Sequence, residues 1–302
     1  MNTVLMRELG VYLERSCGAF RVYATETLTD LPVEDLGFFS LHFPASRIST
    51  LGADPKLILG TFLLPKDRFS DLKIVEEMEE EAKRYRLESA ARVAEARLGE
   101  GPIASAVIVG EARDLMLPVN FRAGDIIALI GVPGADFLYL IASKRPDLVE
   151  KADLGDNLSK WKRCRWMLTC LDAARTIPSV AKVSGMICVG ESGILGSLTL
   201  LSKLSGMGFV IWRDRIEFPP ELVEISHHMG LDPLSVPSRG AVLAILPKDS
   251  PTDKIGEILD AHGYRMSLIG SLRTGGGRIV EDGRIRELSL DPPDARHPCS
   301  RF

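Results

Sequence analysis

Apolar positions recur along this chain at two periods. In residues 2–15, Leu5, Leu9, Tyr12 and Leu13 recur every three or four positions, so a short amphipathic helix is expected there. FRVYATETL, from Phe20 to Leu28, reads as a strand. A second helix is expected from about Asp35 to Leu51, with Leu36, Phe39, Phe43, Ile48 and Leu51 inward and Pro44 forcing a kink or break. LILGTFLLP, Leu57 to Pro65, is a nearly continuous apolar run, which suits a strand buried on one face or both. From Ser70 to about Arg86, Val75, Met78, Ala82 and Tyr85 form a narrow stripe, while Glu79 with Lys83 and Glu80 with Arg84 sit four apart. That is a surface helix with a solvated, ion-paired acidic face. ASAVIVGEA (Ala104 to Ala112) and GDIIALIGV (Gly124 to Val132) read as two more strands.

The stretch from Ser143 to Asp156 is polar and holds Pro146 and Gly155, so the domain boundary is expected there. It divides the chain into residues 1–145, residues 146–290 and a flexible tail, 291–302. Beyond it a helix is expected over Trp161 to Ala174, then a strand in KVSGMICVG. Next come a helix carrying Ile194, Leu198, Leu201 and Leu204, and a strand in GFVIWRD. PPELVEISHHMG is a helix begun by proline and stopped by glycine. GAVLAILP gives a strand, Thr252 to His262 a helix, YRMSLIGSL a strand, and RTGGGRIVEDGRIREL a hairpin turning at Asp282-Gly283. Strand and helix alternate in both halves, the mark of an α/β or α+β protein.

Composition narrows the function. A chain of 302 residues, 45% hydrophobic and 26% charged, is longer than one core usually supports, so two domains are expected. A net charge of −4 supplies no overall basic field for nucleic acid or an anionic membrane. No apolar run reaches the roughly 18 residues of a membrane span. The five cysteines, Cys17, Cys164, Cys170, Cys188 and Cys299, are odd in number and lack CxxC spacing, which indicates neither a zinc site nor a disulfide framework and fits a reducing cytoplasm.

One stretch carries candidate chemistry. In CVGESGILGSLTLLSKLSGMG, residues Gly190, Ser192 and Gly193 open a helix, where backbone N–H groups at the positive end of the dipole suit a phosphate. The other reading is close packing of strand against helix, which glycine permits. His227 and His228 are adjacent in a helix and point about 100° apart, so they form no metal pair. RTGGGR, Arg273 to Arg278, reads as an anion nest or as a mobile hairpin turn.

The second half, through GESGILGSLTLLSKLSGMG, MGLDPLSVPSRGAVLAILP and IGSLRTGGGRIVEDG in that order, resembles the C-terminal domain of the AIR synthase (PurM)-like superfamily. That superfamily includes AIR synthase, selenophosphate synthetase, thiamine-phosphate kinase and the hydrogenase maturation protein HypE. Met229 to Leu234 and Gly240 are similar to a pattern of HypE in particular, as are the Ala123-Gly124-Asp125 turn and the segment from Glu34 to Pro65. The resemblance implies two α/β domains, a homodimer whose N-terminal strands assemble a barrel, and ATP with magnesium in a groove at the domain and subunit junction.

On that alignment several acids of the superfamily are replaced. Its early Gly-Asp-Asp falls near Cys17, Gly18 and Ala19, and its helix Asn and Asp fall on Pro44 and Arg47. Its Gly-Gly-His-Thr-Glu falls on residues 91–95, where Glu95 keeps the carboxylate, and the Asp before its Gly-Gly turn is Cys188. Glu26 stands at the strand Asp. Glu26 and Glu95 are therefore the candidate metal ligands, or ion-pair partners of Arg47 and Arg92, because hard cations want oxygen ligands. Arg47, with Gly190, Ser192 and Gly193, is the candidate phosphate contact. Cys299 precedes the last three residues in HPCSRF, unlike the terminal cysteine of HypE, and reads as an incidental thiol. Two functions fit these residues. One is a catalytically inactive, dimeric binding or regulatory protein, acting with an active paralogue or a maturation partner. The other is an ATP-dependent enzyme that activates a substrate oxygen by phosphoryl transfer.

Overall fold

The computed structural model describes residues 3–16, 18–29, 31–66, 72–95, 101–145, 148 and 158–288. Cys17, Cys299, the expected tail and most of the expected boundary stretch lie outside these residues. The fold is mixed α/β and divides into two units, Met1–Leu115 and Met116–Phe302. The division precedes the polar stretch expected to mark it, because the strand within GDIIALIGV pairs on both sides with strands of the second unit.

In the first unit α1 (Thr3–Leu9) ends at Gly10, and β1 (Val11–Ser16) pairs antiparallel with β2 (Ala19–Leu28). A single helix through residue 15 is thus corrected. Leu9, Tyr12 and Leu13 fit a helical spacing, but Val11 and Leu13 also alternate with exposed Tyr12 and Glu14, and the neighbouring strand selects that second period. The remaining strands are β3 (Asp54–Leu64), β4 (Glu88–Glu95) and β5 (Ile103–Ala112), giving the order β1-β2-β5-β3-β4. All pairs are antiparallel except β3–β4, which α3 (Lys73–Arg84) connects.

Helix α2 (Leu36–Ser49) packs on β2, β5 and β3, with α3 beside it. Every residue of α2 except Arg47 is buried, as expected of a helix apolar on almost all sides. Of the kink or break expected at Pro44, the break does not occur: the helix runs on through it. On α3, Ile74, Met78 and Ala82 face inward. The acidic face is not wholly solvated, which corrects the surface reading: Glu77 Oε2 accepts from the Phe38 amide at 3.0 Å, and buried Glu81 lies 3.2 Å from Nε2 of buried His42. β4 was not expected, since ESAARVAE holds a single β-branched residue; it is an edge strand specified by pairing with β3.

The second unit holds a seven-stranded sheet. Its strands are β6 (Ile126–Ile130), β7 (Gly185–Cys188), β8 (Gly208–Trp212), β9 (Val242–Leu246), β10 (Met266–Arg273), β11 (Gly277–Glu281) and β12 (Arg284–Leu288). They run in the order β12-β11-β8-β10-β6-β9-β7. Every residue of β9 is buried, so its unbroken apolar sequence reflects cover on both faces. Among the described residues its helices are α4 (Ala135–Lys144), α5 (Leu171–Val180), α6 (Gly193–Ser205), α7 (Pro220–Met229) and α8 (Thr252–Ala261). One cluster joins α5 and α8 to the sheet through Ala174, Ile177, Met186, Ala244, Ile255 and Leu259. Another joins α4 and α7 through Phe137, Leu138, Trp161, Leu222 and Ile225.

The helix expected over Trp161 to Ala174 is corrected to two 3₁₀ turns, Lys160–Arg163 and Arg165–Leu168, followed by α5. Trp161 and Leu168 are buried at helix-like spacing, but the chain reaches them by tighter turns. β11 and β12 form the expected hairpin, with Asp282 at φ 48° and Gly283 at φ 72°, the left-handed pair that a two-residue turn demands.

Candidate functional site

Alternation along β2 places Val22, Ala24, Glu26 and Leu28 on one face of the first sheet, the face that α2 covers. Glu26 is thus a carboxylate in an apolar row. Its partner is Arg47, the one residue of α2 that is not buried. Arg47 Nη2 donates to Glu26 Oε2, and its Nη1 donates to the Thr25 carbonyl at 3.0 Å. The side chains are 33% and 11% exposed, so water screens the pair only partly. A Cβ built on Gly10 would lie 3.1 Å from Nη1, which puts the turn after α1 directly over the guanidinium. The cation is therefore enclosed by a carboxylate, a carbonyl and a turn.

Glu95 is elsewhere. Glu26 pairs across the sheet with Ala106, Ala106 with Gly60, and Gly60 with Ala91. Glu95 lies on the same face as Ala91, four residues further along β4. Three strand spacings make roughly 14 Å across the sheet, and four residues add roughly 13 Å along it. Two oxygens sharing one Mg²⁺ stand only about 4 Å apart, since each is bound at about 2 Å. Within one chain Glu26 and Glu95 cannot hold the same ion, and Glu26 already faces a fixed cation. Arg92, three positions before Glu95, projects from the opposite face of β4, so it does not pair with Glu95 across a shared face. Among the described residues no group of three or more His, Cys, Asp or Glu side chains forms a metal cluster. Among the described residues, Glu26 and Glu95 do not fit a shared carboxylate-bound magnesium site within this chain.

The glycine turn belongs to the second unit. Gly190 accepts from the Gly193 and Ser238 amides at 3.1 and 3.2 Å, and donates to Ser197 Oγ at 3.3 Å. Ser192 precedes α6 without a side-chain cap. Gly193 has φ 66°, and a Cβ there would meet the Leu234 and Val236 carbonyl oxygens at 2.6 Å, so only glycine fits. Asp232 holds that opposing segment in place. Its carboxylate accepts from the Leu234 amide at 3.0 Å and from Arg213 Nη1 at 2.8 Å, with Arg286 at 3.4 Å. Burial pushes the Asp232 carboxyl up, but the bonds from Arg213 and Leu234 outweigh it and hold the group below the usual carboxylate range. The stability this gives is complete above the ordinary carboxylate pKa and is lost as pH falls through the depressed value. MGLDPLSVPSRG is thus a brace for the turn.

A second cation flanks it. Arg239 Nη2 donates to Glu191 Oε1, and Nη1 lies 3.8 Å from the buried Asp136. Glu191 stands two residues before the start of α6, its carboxylate held by Arg239 beside the glycine turn. Gly193 supports the packing reading, whereas Gly190 has open space where its Cβ would be. Arg239 was missed in the sequence, as was Arg213: each is one arginine among many until folding aligns it with an acid distant in the chain. His227 and His228 are exposed, with ring centroids 6.3 Å apart. RTGGGR links β10 to β11 across β8, which lies between them, so the hairpin-turn reading is corrected. Its second arginine, Arg278, bonds to Glu287 at 2.8 Å.

No protein-family model matches the chain. Carbamoyl dehydratase HypE of Cupriavidus necator is 26% identical over 279 residues, covering 88% of this chain and 75% of that protein. Its counterpart from Bradyrhizobium diazoefficiens is 25% identical over 272 residues, covering 83% and 76%. Among solved structures, the HypE–HypF complex matches with a TM-score of 0.73 at 20% identity, covering 92% of each chain. ThiL complexed with AMPPCP and TMP matches at 0.69 and 18%, covering 91% of this chain and 87% of that one. HypE in complex with ATP matches at 0.71 and 17%, covering 97% and 93%. Its sequence relatives are thus HypE proteins, and its fold is the AIR synthase-like fold of the solved HypE and ThiL structures.

Proposed function

We propose that this chain is a HypE-like protein with a degraded magnesium–ATP site, acting as a dimeric binding or regulatory partner in a hydrogenase-maturation setting. The observation that carries this reading is the Arg47–Glu26 ion pair. A guanidinium bonded to the strand carboxylate neutralises the charge that would otherwise recruit a cation, and like charges oppose Mg²⁺ entering beside it. The solved HypE–HypF complex supports a maturation partner, and an active paralogue is the other partner considered. Dimerisation is supported by the sheet face opposite α2. There Leu57, Leu59, Leu63, Val107 and Val109 share one side, and Leu59 is 44% exposed.

The second reading, phosphoryl transfer from ATP, is favoured by the open space beside Gly190 and by neighbours solved with ATP and with AMPPCP. One experiment separates the two: phosphate release from Mg·ATP, measured on the purified protein after its mass is fixed by light scattering. The expected outcome is a dimeric mass at micromolar concentration and no release above buffer. Sustained release that Glu26→Gln abolishes would transfer the conclusion to the second reading, and a monomeric mass would remove the dimer.

A further inference from the structure

Cys170 and Cys188 are brought together by the fold of the second unit. Cys170 caps the start of α5, and Cys188 ends β7. Their Sγ atoms lie 2.9 Å apart. That is no longer than a hydrogen bond between the far smaller nitrogen and oxygen atoms. Both are thiols in this structure. A covalent S–S bond spans about 2.05 Å, so closing the gap needs less than an ångström of movement. Cys170 is 2% exposed, packed with Ala173, Ala174 and Met186, whereas Cys188 is only partly buried at the edge of the same cluster. The other described cysteine, Cys164, lies apart from this contact, its thiol 3.3 Å from the Lys160 carbonyl.

We propose that Cys170 and Cys188 form a redox-active dithiol that exchanges with small-molecule disulfides and thiols of the glutathione class. The Cys188 thiol loses its proton and attacks one sulfur of the small disulfide. That S–S bond breaks, a mixed disulfide forms on Cys188, and one small thiolate leaves and takes up a proton. Cys170 then loses its proton and attacks Cys188 Sγ, expelling the second small thiol. The protein gives up two hydrogens, and the small disulfide is reduced to two thiols. The product bond ties the start of α5 to the end of β7. It sits next to Val189, whose amide donates to the Ala241 carbonyl at 2.9 Å, and two residues before Gly190. Oxidation therefore restrains the strand that feeds the glycine turn.

The test equilibrates the full-length protein with reduced and oxidised glutathione over a series of ratios, quenches with acid, alkylates free thiols and maps the peptides by mass. The expected result is one linked pair, Cys170 with Cys188. It rises in a single two-electron step as the oxidised fraction grows, reverses fully with excess reduced glutathione, and leaves Cys164 alkylated throughout. Both thiols remaining alkylated in excess oxidised glutathione, or Cys188 linked to a different cysteine, would overturn the proposal. Cys170→Ala tests the order of attack, with folding checked by circular dichroism: a lasting glutathione adduct on Cys188 is expected. An adduct on Cys170 in Cys188→Ala, with none on Cys188 in Cys170→Ala, would overturn the assignment of Cys188 as the entry thiol. The wild-type peptide map decides the pairing by itself if either variant fails to fold.

Discussion

Arg47→Asp should destabilise the protein by about 3 kcal/mol, the lower end of what removing one partner of a buried pair costs, because Arg47 is itself partly exposed. The substitution removes the donors to Glu26 and to the Thr25 carbonyl and sets a second carboxylate against Glu26. Two carboxylates at close range raise one another's pKa and oppose folding near neutral pH. For a unit of this size the melting temperature should fall by roughly 10 °C. Millimolar Mg²⁺ should recover part of that loss, since a cation can take the place the guanidinium left, and a ligand's stabilisation grows with its concentration over Kd. The wild-type protein should show no such dependence. A variant as stable as its parent and indifferent to Mg²⁺ would mean that the ion pair holds nothing in place.

The buried pair of His42 and Glu81 should be more costly to break. His42 is fully buried, stacked on Phe38 with ring centroids 3.9 Å apart and edge-on to Tyr85 at 5.5 Å. Glu81 reaches it from α3 at 3.2 Å, with Arg84 3.9 Å away. Glu81→Ala removes the carboxylate that buried His42 faces and should cost about 3–5 kcal/mol in denaturant unfolding. Replacing both, as His42→Phe with Glu81→Leu, should recover most of that, because two apolar groups of similar volume need no partners. A double variant worse than the single one would show that the site is held by packing and not by the contact between His42 and Glu81.

How much of this was legible before folding depends on what each residue needed from distant chain. β9 and the β11–β12 hairpin were readable because an unbroken apolar run and an Asp-Gly turn are local signals. β4 was not, since an alanine-rich edge strand takes its conformation from β3. Residues 11–16 satisfied both periods, and only the partner strand decided between them. The polar stretch after residue 142 imitates a linker, yet β6 before it is locked between β9 and β10. At the site, the Arg47–Glu26 pair is one of the readings that the resemblance to the superfamily allows, since nothing local in the sequence joins the two residues. Where Glu95 would lie was beyond reach, because its distance from Glu26 depends on β5 and β3 lying between their strands. The Cys170–Cys188 contact was equally hidden, since no CxxC spacing announces a pair that α5 and β7 bring together.

If Arg47 stands in for the metal, as proposed, the chain keeps no productive magnesium–ATP site. Isothermal titration of the wild-type protein with Mg·ATP tests it most directly. The expected result is no saturable heat, or binding weaker than about 10 μM. Saturable one-site binding tighter than that, worth some 7 kcal/mol or more, would contradict it.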